Sequence, residues 1–99
     1  MNIKRIKKSV TALVLGGIIL SNSAVAMAAK KNIGGGILYY GVTFSECYSN
    51  YYHGTKTHMS SAMNGKGKLV KSEWVRARYT SFASVERTLS GNASYYDTK

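Results

Sequence analysis

Residues 48–58 concentrate side chains suited to recognising a ligand: three tyrosines, two histidines and a lysine, interrupted by Gly54. Each of these side chains joins an apolar body or stem to a hydrogen-bonding or charged tip, a combination enriched on binding surfaces. A second set of basic and aromatic side chains follows further along the chain. The candidate target-binding residues are therefore Tyr48, Asn50, Tyr51, Tyr52, His53, Lys56, His58, Trp74, Arg76 and Arg78.

The same segment contains the residue types of a cysteine hydrolase, namely Cys47, Asn50, His53 and His58. Such enzymes normally assemble their nucleophile and base from distant parts of a much larger chain, so we predict that this protein is not an enzyme. His53 and His58 also resemble a zinc-ligand pair, but no second cysteine or group of carboxylates completes a tetrahedron. We predict neither a metal nor a cofactor, and expect both histidines to be hydrogen-bonded or exposed to solvent.

The N-terminal residues have the three parts of a secretory signal peptide. A basic segment is followed by an apolar run at 10–20 and then by small residues, and this run is well short of the ~18–20 residues that span a bilayer. We predict that residues 1–28 are a signal peptide, with cleavage after Ala26 or Ala28, and that the protein is secreted and extracellular. The basic residues of this segment are Lys4, Arg5, Lys7 and Lys8.

The secreted part remains strongly basic. The whole chain has 14 basic and 4 acidic residues, and removal of the four basic residues of the signal peptide leaves a net charge of +6. Outside the cell such a charge attracts anionic envelope components, including lipid head groups, teichoic acids and pyrophosphate-linked wall precursors. A charge that only maintains solubility is the alternative. We expect no nucleic acid partner.

Cleavage would leave one domain of about seventy residues, a size at which a hydrophobic core alone gives marginal stability. Its single cysteine, Cys47, excludes an intrachain disulfide. A small buried apolar residue is the favoured role for Cys47, with a free thiol or an intermolecular disulfide as alternatives. Oligomerisation, for example as a homodimer, is another source of stability for a domain without disulfides.

The chain after the signal peptide has the composition of β-structure. Residues 29–36, rich in lysine and glycine, are expected to be a flexible N-terminal segment, and residues 37–99 the folded domain. Tyrosine, threonine and valine are abundant and proline is absent, which favours an antiparallel β-sandwich or small barrel. Residues 81–89 fit a helix, a loop or an irregular strand. Strands are predicted at 37–44, 47–53, 55–63, 69–79 and 93–96.

Pore formation is the further alternative for a cationic secreted protein. It normally requires a strongly amphipathic helix or an apolar segment that inserts into the membrane. The sole candidate after the signal peptide, residues 81–89, is too short and too polar to span a bilayer. We therefore predict that the protein does not act by forming pores.

The order of several motifs resembles that of the lactococcin 972 family of bacteriocins. The central run Tyr48-Ser49-Asn50-Tyr51-Tyr52-His53, followed by Lys56-Thr57-His58, is the most specific part of this similarity. Leu38 occupies a position where the family tends to carry tryptophan. The similarity also includes Gly35-Gly36-Ile37-Leu38, Glu73-Trp74-Val75-Arg76-Ala77 and Ala93-Ser94-Tyr95-Tyr96.

The resemblance implies a secreted bacterial protein whose fold is a β-sandwich of two three-stranded antiparallel sheets. It implies an antibacterial protein that binds the cell-wall precursor lipid II and blocks septum formation in related Gram-positive cells, without forming pores. A homodimer, and membrane or transporter-type immunity proteins in the producer, are further implied partners. With such a target, Lys56, Arg76 and Arg78 would neutralise the pyrophosphate of lipid II, and tyrosine rings would contact its sugars. A secreted cell-wall or surface-binding module without killing activity is the alternative.

Overall fold

The computed structural model describes residues 17–20 and 26–99, and every helix or strand assigned within them is a β-strand. The prediction of an all-β protein is therefore confirmed. The described part of the chain contains no helix long and apolar enough to cross a membrane. The strands are β1 (Gly17–Leu20), β2 (Met27–Ile33), β3 (Gly36–Val42), β4 (Glu46–Tyr52), β5 (His58–Met63), β6 (Leu69–Lys71), β7 (Thr80–Glu86) and β8 (Asn92–Thr98).

The strands form two antiparallel sheets, with the orders β1-β8-β5-β6 and β2-β3-β4-β7. Strand β1 and the first two residues of β2 lie within the predicted signal peptide. Without β1, the first sheet has three strands and the second has four. The sandwich architecture is as predicted, but the strand count differs from the two three-stranded sheets that the family resemblance implies. The additional strand of the second sheet is β2, which pairs with β3 along its whole length.

Residues 29–36, the segment predicted to be flexible, include most of β2 and the turn that follows it. Gly34 (φ 64°) and Gly35 (φ 84°) form a two-residue connection in which Ile33 pairs with Gly36. Two successive positive φ angles suit the right-handed twist of a hairpin, and glycine adopts them at the lowest cost. The sequence also predicts that the signal peptide is a helix. This prediction falls mostly on residues 1–16 and 21–25, which lie outside the described residues, whereas Gly17–Leu20 is a strand.

The interior of the sandwich is built mainly from small side chains. Leu38, Val42 and Cys47 are fully or almost fully buried, which agrees with the favoured role of Cys47. Between the sheets, serine hydroxyls replace much of the apolar packing expected in a larger core. The Ser49 hydroxyl donates to the Tyr95 carbonyl at 2.9 Å and the Ser94 hydroxyl donates to the Tyr48 carbonyl at 2.8 Å. Each such bond contributes about 0.5–1.5 kcal/mol, and together they bind β4 to β8 without a disulfide.

The long strand predicted over 69–79 is wrong, because regular pairing ends at Lys71. The chain then leaves the sheet, makes one isolated bridge from Val75 to His58 and adopts a left-handed conformation at Arg78 (φ 77°). Residues 81–89, which the sequence left open, mostly belong to β7, where buried and exposed side chains alternate. Phe44, included in the strand predicted at 37–44, lies beyond the end of β3 and is 85% exposed.

Candidate ligand-binding surfaces

The alternation of β4 divides the tyrosine- and histidine-rich segment between the interior and the surface. Tyr48, Asn50 and Tyr52 point away from the other sheet and are partly exposed, as the period-two pattern predicts. Tyr51 is fully buried and His53, just after the strand, is 4% exposed. His58, at the start of β5, is also fully buried. Three of the ten candidate residues therefore lie inside the protein, away from any ligand on its surface.

The buried aromatic rings form a cluster that joins the two sheets. The ring of Tyr51 lies 4.8 Å from that of Tyr96 and 5.7 Å from that of His58, measured between centroids. The Tyr51 hydroxyl donates a hydrogen bond of 2.7 Å to the carbonyl of Ile33 at the β2–β3 turn. Burial, reinforced by the neighbouring Tyr96 hydroxyl, raises the pKa of Tyr51 to about 12. This tyrosine thus supports the fold as a neutral hydrogen-bond donor.

The two buried histidines have opposite hydrogen-bonding environments. Nδ1 of His53 accepts from the backbone N–H groups of Thr55 (3.2 Å) and Lys56 (3.0 Å), so the proton of a neutral ring lies on Nε2. Both ring nitrogens of His58 face carbonyl oxygens, Nδ1 that of Lys56 at 2.8 Å and Nε2 that of Tyr79 at 2.7 Å. Carbonyls only accept, so both bonds form when His58 carries a proton on each nitrogen.

These histidines fix two loops, 53–57 and 72–79, against each other. The N–H of Arg78 donates to the His53 carbonyl at 2.8 Å, and the backbones of His58 and Val75 exchange two bonds of 2.8 and 2.9 Å. The backbone of Lys99 donates to the Thr57 carbonyl at 3.0 Å, which brings the C-terminus to the same place. The buried histidines therefore position side chains on the surface. We call the surface that the loops present the cationic patch, formed by Lys56, Trp74, Arg76, Arg78, Tyr79 and Lys99.

Cations of the cationic patch stack on its aromatic rings. The ammonium of Lys99 lies 4.5 Å from the centroid of the Trp74 ring, and the guanidinium of Arg76 lies 5.2 Å from that of Tyr79. Such stacking limits the motion of long basic side chains and leaves their donors available. The ion pair found within the described residues, Lys68–Glu86, lies outside the patch. An arrangement of this kind suits an anionic ligand.

A second surface is the outer face of the sheet β2-β3-β4-β7. In register across its strands, Tyr39 pairs with Asn50, and Asn50 pairs with Phe82. Phe82 is 68% and Tyr39 39% exposed, with the amide of Asn50 between them. We call this surface the aromatic face, formed by Tyr39, Tyr48, Asn50, Tyr52 and Phe82. It includes a groove of about 300 Å³ lined by Glu46, Tyr48, Asn50, Phe82, Ala83 and Ser84.

Tyr39 and Phe82 were not among the binding residues predicted from the sequence. For Tyr39 a signal was present, because the alternation that places Tyr40 inward requires its neighbour to point outward. Phe82 was missed because the period of residues 81–89 did not distinguish a helix from a strand. Tyr48 on this face lies over Gly41, where an added Cβ would come within 3.0 Å of the tyrosine hydroxyl. Partial burial raises the pKa of Tyr48.

The two surfaces adjoin at one end of the sandwich. Tyr52 of the aromatic face immediately precedes the 53–57 loop, and it pairs with Thr80, which immediately follows Tyr79 of the cationic patch. Cys47, the remaining side chain that could be reactive, lies apart from both surfaces. Its thiol is buried and contacts the Ala93 carbonyl at 3.5 Å, and burial raises the pKa of this thiol. A buried, protonated thiol is a packing group rather than a nucleophile.

These features define a small antiparallel β-sandwich with a basic, aromatic-rich surface at one end. A family model described as Bacteriocin (Lactococcin_972) matches residues 34–96, from the β2–β3 turn almost to the end of β8. The chain therefore belongs to the lactococcin 972 family and has a bacteriocin role, and this family suggests a secreted protein. No curated protein and no solved structure matches the chain significantly.

Proposed function

We propose that the protein is a secreted bacteriocin that binds lipid II and blocks septum formation in related Gram-positive bacteria, without forming pores. The observation that carries this proposal is the cationic patch. Its exposed basic side chains are Lys56, Arg76, Arg78 and Lys99, and within the described residues none forms an ion pair. Lipid II carries a pyrophosphate, whose oxygens accept strong hydrogen bonds from guanidinium and ammonium groups.

The patch favours a pyrophosphate over a diffuse negative surface for a geometric reason. Guanidinium groups form paired hydrogen bonds with phosphate oxygens, and a lysine adds a compact positive charge. Stacking of Arg76 on Tyr79 and of Lys99 on Trp74 restrains two of these side chains before a ligand arrives. Less conformational entropy is then lost on binding. Beneath the loops, the ring of His58 contacts the carbonyls of Lys56 and Tyr79 and so holds the two loops that carry the patch.

The proposal predicts that the purified mature protein arrests growth and septation of related Gram-positive strains, and that added lipid II relieves the arrest. Simultaneous replacement of Lys56 and Arg76 by alanine should raise the inhibitory concentration at least about tenfold, because two charge-assisted contacts worth roughly 1.5–3 kcal/mol each are lost. Circular dichroism should remain that of the parent protein. A membrane-potential dye should show no early depolarisation of inhibited cells.

A matched variant separates the patch from net charge. Lys31→Ala with Lys66→Ala also removes two exposed cations, but from positions outside the patch, and should leave inhibition nearly unchanged. Equal losses from both double variants would mean that charge alone drives the activity. Absence of inhibition across a broad panel of strains would contradict a killing role, and binding to isolated walls without growth arrest would then favour a secreted wall-binding module.

A further inference from the structure

We propose that the aromatic face is a binding site for uncharged saccharide, specifically for oligosaccharides of N-acetylated amino sugars. This inference rests on the proposed cell-wall target and extends it to a second surface and a second chemical class. The cationic patch is suited to phosphate, whereas the side chains of the aromatic face are suited to a ligand without charge. A wall precursor presents both groups in one molecule.

The geometry of the central row supports a saccharide. Phe82, Asn50 and Tyr39 occupy matching positions on three neighbouring strands. Adjacent strands lie about 4.8 Å apart, so the backbone positions that carry the two exposed rings are roughly 10 Å apart, and Asn50 lies between them. An extended ligand lying across the strands would meet a ring, a hydrogen-bonding group and a second ring in turn.

The chemistry of each position fits a sugar. A pyranose has a face of C–H groups, which packs against an aromatic ring, and hydroxyls at its edge, which need hydrogen-bond partners. The Asn50 amide both donates and accepts, so it is complementary to hydroxyl and acetamido groups. Glu46, at the end of the groove beside Tyr48, supplies a carboxylate that accepts from hydroxyls. The groove's volume of about 300 Å³ is the lower limit of ordinary ligand sites.

The charge distribution and the position of the aromatic face favour a saccharide over a second protein chain as its ligand. The central row is uncharged up to Lys30 on the edge strand β2, and its aromatic rings are separated by a polar side chain. The core of a stable protein interface is more continuously apolar. The aromatic face also adjoins the cationic patch at the Tyr52–Thr80 pair. If the patch holds a pyrophosphate, sugars attached to that pyrophosphate would therefore extend towards the aromatic face.

Amide NMR shift mapping of the mature protein tests the proposal with two probes, the tetramer of N-acetylglucosamine and inorganic pyrophosphate. The sugar should shift the amides of Tyr39, Asn50 and Phe82, and pyrophosphate those of loops 53–57 and 72–79. Phe82→Ala should weaken sugar binding about threefold to tenfold, the value of one aromatic contact. The matched control Leu89→Ala removes another exposed apolar side chain outside the face and should change nothing.

The two probes separate failure of this inference from failure of the proposed function. No sugar-induced shifts on the face, or equal effects of the Phe82 and Leu89 variants, would overturn the saccharide site even if lipid II still relieved growth inhibition. Because Phe82 is mostly exposed, its truncation should preserve folding. The shift map of the parent protein tests the saccharide site without any variant. Sugar binding by a protein that inhibits no strain would instead support this site and contradict the bacteriocin mechanism.

Discussion

Two buried histidines, His53 and His58, have ring centroids only 6.1 Å apart yet face different backbone groups. His53 holds the 53–56 turn by accepting two backbone N–H groups, which only an unprotonated Nδ1 allows. His58 places both ring nitrogens against carbonyl oxygens on two loops. The residues that looked like ligand contacts in the sequence therefore act one layer below the surface, by positioning the loops that bear Lys56, Arg76 and Arg78.

We predict that NMR of the imidazole nitrogens at neutral pH will distinguish the two rings. A long-range proton–nitrogen spectrum should show His58 with both nitrogens protonated and His53 neutral with its proton on Nε2, because each state satisfies the backbone groups around that ring. The two histidines serve as internal controls for each other. An unprotonated nitrogen on His58 under these conditions would contradict the assignment and leave one carbonyl contact without a hydrogen.

Among the elements, the β2–β3 hairpin depends most on a single turn. Gly34 adopts a left-handed conformation, and a Cβ at this position would lie 2.5 Å from a ring carbon of Tyr96 and 2.8 Å from the Tyr51 hydroxyl. Gly67 is also left-handed (φ 87°), but a Cβ there would meet open space. The two glycines thus carry the same backbone requirement in different packing environments.

The comparison of these glycines gives a prediction for the hairpin. Gly34→Ala should lower the free energy of unfolding by at least about 1 kcal/mol more than Gly67→Ala, because it adds overpacking to a backbone cost of roughly 1–2 kcal/mol. Urea denaturation of the two variants measures the difference. Equal destabilisation would mean that the turn does not pack against the rings of Tyr51 and Tyr96.

The whole molecule depends on contacts between its sheets that come from small and polar side chains rather than from a large apolar core. Tyr51 is the principal large side chain at this junction, since it packs on Tyr96 of the other sheet and bonds to the β2–β3 turn. Ionisation of its hydroxyl would place a charge inside the sandwich. The free energy of unfolding should therefore decrease at alkaline pH.

The direction of this linkage follows from the raised pKa. Tyr51 titrates at about 12 in the folded protein against 10.0 ordinarily, so its contribution is complete below about pH 10 and is lost as pH rises towards 12. The urea midpoint should fall over this range, and Tyr51→Phe should show a shallower fall because it has no hydroxyl to ionise. The variant should also lose about 1 kcal/mol at neutral pH through the missing bond to Ile33. Parallel pH profiles for the two proteins would contradict this role.

Local sequence patterns predicted the structure correctly where the alternation of side chains along one strand determines which residues share a face. The division of β4 into two faces, with Ser49 and Tyr51 on one and Tyr48 and Tyr52 on the other, follows from period two alone. The failure at 69–79 has a long-range cause. Val75 and Tyr79 alternate as in a strand, but His58 binds the backbone of both from another element, and Arg78 turns the chain out of the sheet.

The residues alone therefore indicated the family, the all-β class and the two faces of β4, because composition, motif order and side-chain alternation are local properties of the chain. Which face another sheet covers depends on packing between residues far apart in sequence, as in the bond from Ser49 to Tyr95. That packing placed Tyr51, His53 and His58 inside the protein and gathered Lys56 and Arg78 on adjoining loops. It also brought Tyr39 and Phe82 into one row, since pairing in register, rather than proximity along the chain, makes them neighbours.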